Sequence, residues 1–107
     1  GPVREDAAAA LRSIVVGGGE AHREHVVRAD GVPPLVALLG ERGAPAQEHS
    51  AAVLRCLIFG SEANQSKLVS AEGAAAVVPL LGPDAGEALR EHGAAICWSL
   101  AYGQQEA

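Results

Sequence analysis

Apolar residues recur along this chain at spacings of three and four, the pattern of helices that each bury one face. The stretch from Ala46 to Phe59 places Ala46, Ser50, Val53, Leu54 and Leu57 on such a face. Val32-Pro33-Pro34 opens a shorter helix, because prolines in a first turn forfeit no hydrogen bond, and Leu35, Val36, Leu38 and Leu39 follow as its apolar side. Gly40 ends that helix, Gly43-Ala44-Pro45 forms a loop into the next, and Gly60 supplies a left-handed stop. Pro79 would kink a helix begun at Ala74, so the corresponding later helix is expected to start near Val77 or Val78. The predicted helices are 6–16, 20–29, 33–39, 45–59, 64–71, 77–82 and 85–102, with no strand between them.

These elements repeat. Residues 20–40 (EAHREHVVRADGVPPLVALLG) and 62–82 (EANQSKLVSAEGAAAVVPLLG) lie 42 residues apart and agree at nine of 21 positions. A second segment type occurs three times at intervals of 43: AAALRSIVVG at 8–17, AAVLRCLIFG at 51–60 and AAICWSLAYG at 94–103. Two independent segments with one period define a unit of short helix, glycine corner, medium helix, loop and long helix.

That unit resembles the armadillo repeat over nearly the whole chain. Gly31 to Leu39 (GVPPLVALL) is similar to the family's second-helix signature. Gln47-Glu48 followed by Ser50-Ala51-Ala52 and Leu54 resembles the start of its third helix, and Glu62 to Val69 (EANQSKLV) its first. The resemblance implies an all-α fold, a right-handed α-solenoid with three helices per repeat of about 42 residues. It divides one segment, 1–107, into a lone third helix (3–19), two full repeats (20–61 and 62–103) and the start of a further one at 104–107. HEAT repeats, with two helices and no glycine corner, fit less well.

Composition narrows the function classes. Apolar residues make up 49% of the chain, too many for an acidic disordered segment. The aromatics are only Phe59, Trp98 and Tyr102, and threonine is absent, a palette suited to thin, closely packed helices rather than a β-sandwich. A net charge of −5 with one lysine, Lys67, disfavours grip on a nucleic-acid backbone or an anionic membrane, so neither is an expected partner. No apolar run reaches the roughly 18 residues of a membrane span. Two cysteines are too few for a disulfide framework and suggest a reducing, intracellular setting, cytoplasmic or nuclear.

Candidate chemistry is sparse. Gly17-Gly18-Gly19 follows a helix and lacks the lysine of a phosphate loop. His22 and His25 lack a third ligand at metal-binding spacing, and Cys56 and Cys97 fall at non-equivalent repeat positions, which argues against a disulfide. With no acid–base or nucleophile constellation, neither an enzyme nor a cofactor is expected. The resemblance instead implies a protein-interaction scaffold that holds an extended peptide along its third helices. The tryptophan and asparagine that recur there in many family members are replaced by Ala9, Ala52 and Ala95 and by Ser13, Cys56 and Ser99, which disfavours an importin-like reader of basic signals. Around these columns, equivalent positions carry Arg12, Arg55 and Trp98; Asp6, His49 and His92; and Val16, Phe59 and Tyr102. The expected groove therefore comprises Arg12, Ser13, His49, Arg55, Cys56, Phe59, His92, Trp98, Ser99 and Tyr102, suited to a protein or peptide with acidic or aromatic residues. The alternative is a structural array segment that self-associates, as a homo-oligomer, through terminal apolar faces at Leu11, Ile14, Val15, Ile96 and Leu100.

Overall fold

The computed structural model describes residues 2–102, with side chains from Glu5 onward; the further repeat expected at 104–107 lies outside the described residues. The elements are α1 (Pro2–Gly18), α2 (Glu20–Arg28), α3 (Val32–Leu39), α4 (Pro45–Ile58), α5 (Glu62–Ser70), α6 (Gly73–Val77) and α7 (Glu87–Tyr102), and no strand occurs among the described residues. Two 3-10 turns, Val78–Leu81 and Pro83–Ala85, separate α6 from α7. No described helix is long and apolar enough to cross a membrane.

Helix α4 is the centre of the molecule, packed on α1, α3 and α7. Seven of its residues, Ala46, Ala51, Ala52, Val53, Leu54, Leu57 and Ile58, join the buried core, and alanines let the neighbouring backbones come close. Val15 from α1, Leu39 from α3, Leu68 from α5, Val77 from α6, Leu80 from the Val78–Leu81 turn and Ile96 from α7 pack into the same core. The end of α4 is held by the next repeat's first helix. Asn64 Nδ2 donates to the Leu57 carbonyl at 2.8 Å, and buried Gln65 Nε2 donates to that of Ile58 at 3.0 Å. Both bonds satisfy carbonyls that a helix end would otherwise leave orphaned.

The glycine corners prove to be glycine for packing rather than for backbone angle. At both corners the left-handed residue is the preceding acid, Asp30 with φ 58° and Glu72 with φ 63°. Asp30 N–H bonds to the Val27 carbonyl and Gly31 N–H to that of Val26, each at 3.0 Å, the double closure of a Schellman motif. A Cβ on Gly31 would lie 2.8 Å from the Val26 carbonyl oxygen, and one on Gly73 would meet Leu68 in the same way.

Several boundaries shift from the expected ones, α1 starting at Pro2 rather than residue 6 and α7 at Glu87 rather than 85, and two of the shifts have a clear local cause. The helix expected near Val77 begins at Gly73, and Pro79 acts at its far end, where the chain tightens into the Val78–Leu81 turn. The lack of an N–H at Pro79 ends α-helical bonding without preventing its start. Helix α5 begins at Glu62 rather than Asn64, because Ser61 Oγ accepts the Asn64 N–H at 3.2 Å and caps it.

Candidate functional site

Along the faces of α1, α4 and α7, one contact is made twice. Arg12 Nη1 donates to His49 Nδ1 at 3.3 Å, and Arg55 Nη1 donates to His92 Nδ1 at 3.3 Å. Each arginine also faces the glutamate beside that histidine, Arg12 to Glu48 at 3.6 Å and Arg55 to Glu91 at 3.8 Å. These are long, partly solvated ion pairs that each contribute about 0–1 kcal/mol. Burial, followed by the fields of Arg12 and Arg55, holds His92 below its ordinary value of 6.5, against the opposing pull of Glu48 and Glu91.

Between α1, α2 and α4, and edged by His92 of α7, lies a cavity of about 400 Å³. Arg12, Arg23, Arg55 and His92 stand around it, and Val16, Ala52, Cys56 and Phe59 form its apolar walls. Phe59 reaches the rim because α4 ends in a type II turn. Its own backbone is extended, Gly60 follows at φ 69°, and Ser61 N–H bonds to the Ile58 carbonyl at 3.1 Å. This turn leaves Phe59 77% exposed. A larger space of about 580 Å³ shares Arg23 and Phe59, but there Glu20, Glu24 and Glu62 oppose Arg23 and Arg28 and its charge largely cancels.

The expected groove residues divide. Arg12, Arg55, Cys56, Phe59 and His92 line the single cavity, and His49 is tied to it through Arg12. Trp98 and Tyr102 pair with each other farther along on α7, ring centroids 5.4 Å apart and tilted at 45°. Ser13 is exposed but does not line the cavity. Ser99 is a correction: it is buried, turned with Ile96 into the packing of α7, and offers no groove surface. Cys56 and Cys97 are free, and Cys56 Sγ approaches the Val15 carbonyl at 3.8 Å.

The terminal faces also need correction. Val15 and Ile96 are fully buried in the chain's own core, and Leu11 and Leu100 pack against it half-buried. Of the five residues expected to form sticky ends, Ile14 alone is exposed, at 49%. Helix α1 points Ala8, Leu11 and Val15 at α4, which leaves Ile14, about 100° around the helix from Val15, on the exposed flank.

Arg23 was not among the expected residues. It sits on α2, outside the thrice-repeated segment, and its counterpart one repeat later is the buried Gln65. The only signal was that a charge stands where the next repeat has an uncharged amide. His22 and His25 are exposed, His22 Nδ1 donating to the Gly18 carbonyl at 2.8 Å, and no described group of three metal-ligating residues clusters.

Comparison with known protein families, curated proteins and solved structures finds no match. The armadillo resemblance therefore rests on this chain's own residues.

Proposed function

We propose that this chain is a protein-interaction scaffold: a right-handed solenoid of armadillo-type repeats that binds an extended peptide across α1, α4 and α7. The observation that carries this reading is the gathering of Arg12, Arg23 and Arg55 over one apolar-walled cavity in a chain of net charge −5. Arginine's planar fork suits carboxylates, and the exposed Phe59, Trp98 and Tyr102 offer flat surfaces to flanking side chains. The partner segment accordingly carries acidic residues with aromatic or apolar neighbours. The equal Arg–His contacts at consecutive repeats support the repeat assignment, since stacked equivalent units make equivalent bonds.

An array of end-blocked peptides, graded in acidic and aromatic content, tests this reading against the chain and its Arg12→Gln/Arg55→Gln variant. The expected result is selective retention of acidic, aromatic-containing peptides and its loss in the variant. Equal binding of basic and acidic peptides would sink it.

A further inference from the structure

Resting on that peptide-binding reading, we infer that the cavity between α1, α2 and α4 is a receptor for one aryl phosphate side chain, a phosphotyrosine in the partner segment. Three arginines from three different helices line it, Arg12, Arg23 and Arg55. A carboxylate has two oxygens and is matched by one bidentate arginine. A phosphate monoester has three terminal oxygens and a charge near −2, and it takes several. These three account for three of the chain's eight lysines and arginines, a concentration that the acidic remainder makes sharper.

The arginines are also available. The side chain of Arg23 has no ion pair or hydrogen bond among the described residues. Arg12 and Arg55 face Glu48 and Glu91 only across 3.6 and 3.8 Å, and neither glutamate lines the cavity. Their bonds to His49 and His92 are made to ring nitrogens, which hold each guanidinium in place without neutralising it.

The walls select the aryl group. Val16, Ala52, Cys56 and Phe59 present apolar surface beside the charges, and Phe59 is held out at the rim by the Phe59–Gly60 turn. A phenyl ring entering between them gains burial and an aromatic contact with Phe59. A phosphoserine would place its phosphate among the arginines yet leave those walls uncovered.

Fluorescence polarisation with the intact chain tests this, using the end-blocked, fluorescein-labelled peptide Gly-Ala-Tyr-Ala-Gly phosphorylated on its tyrosine. The comparison peptides carry phosphoserine, glutamate or unmodified tyrosine at the centre, and inorganic phosphate serves as competitor. Phosphotyrosine is expected to bind about tenfold or more tighter than glutamate, the scale of added charge-assisted hydrogen bonds. Arg23→Gln should remove most of that advantage, and Phe59→Ala should weaken the phosphotyrosine peptide while leaving phosphoserine unchanged. Equal affinities for phosphotyrosine and glutamate would overturn the inference and leave the peptide-binding reading standing. Inorganic phosphate competing as strongly as the peptide would also overturn it, by showing a simple anion cradle. No binding by any of the four peptides up to millimolar concentration would overturn both. The phosphotyrosine–glutamate comparison uses the unaltered chain, so it decides even where a variant misfolds.

Discussion

Arg55 and His92 are bound through a guanidinium N–H and the imidazole Nδ1 at 3.3 Å, and Arg12 and His49 reproduce the bond one repeat earlier. A guanidinium can only donate, so Nδ1 must accept in both rings. In that contact the ring proton sits on Nε2, the neutral form that burial and the fields of Arg12 and Arg55 also favour at His92. The contact has a charge state built into it.

Acidification should accordingly loosen the fold. Burial first, then Arg12 and Arg55, hold His92 in the folded chain below 6.5, so between that lowered value and 6.5 the unfolded chain binds more protons. The stability from neutral His92 is fully present above pH 6.5 and is lost as pH falls below it. Thermal melts followed by circular dichroism from pH 8 to 5 should be flat at first and then decline, with a shallower decline in His92→Gln. A midpoint that climbs on acidification below pH 6.5 would contradict the assignment.

Gly73→Ala should be among the most damaging small substitutions. Its Cβ would meet the Leu68 side chain and, at 2.8 Å, the Leu68 carbonyl oxygen, which belongs to backbone that cannot swing away. The expected cost is about 1–3 kcal/mol. Gly17→Ala is the matched control: nothing lies within 4 Å of its Cβ, so the helix should gain about 0.5–1 kcal/mol. Urea denaturation of the two variants reads both signs at once.

Ser50→Ala should stabilise. Ser50 is fully buried on α4, and its Oγ has no hydrogen-bond partner among the described residues. Removing an unsatisfied buried hydroxyl is expected to gain about 1 kcal/mol, a rise in Tm of about 4–8 °C for a domain of this size. A lowered Tm would show that the hydroxyl is bonded in solution.

Neighbouring residues on α1 should behave oppositely when charged. Val15→Glu puts an unpaired carboxylate into the core and should unfold the chain, visible as lost helical ellipticity. Ile14→Glu, on the exposed side, should stay within about 0.5 kcal/mol of the parent. Sedimentation velocity on the same pair reads self-association: any concentration-dependent oligomer built on α1 should be weakened by Ile14→Glu.

Periodicity made the helices legible, because prolines at 33, 34 and 45 and the stop at Gly60 mark their ends in the chain itself. The role of Pro79 was harder to read, since a proline equally permits a late start or an early tightening, and the packing of Val77 and Leu80 decides between them. At the site, the 43-residue spacing points to Arg12, Arg55, His49 and His92, and residues at that spacing make the same Arg–His contact twice. The spacing could not find Arg23, whose column holds Gln65 in the next repeat. Nor could it tell Val15 from Ile14, adjacent apolar residues separated only by the 100° rotation between successive helical positions.

Trp98 is the chain's single tryptophan, and it stands 60% exposed against Tyr102 rather than in the core. Its emission in the folded chain should already lie close to that of an indole in water, with energy transfer from the adjacent tyrosine. Denaturation will move that spectrum little. Anything that covers the outer side of α7 will shift it to the blue, which makes the molecule's intrinsic fluorescence a gauge of occupancy rather than of folding.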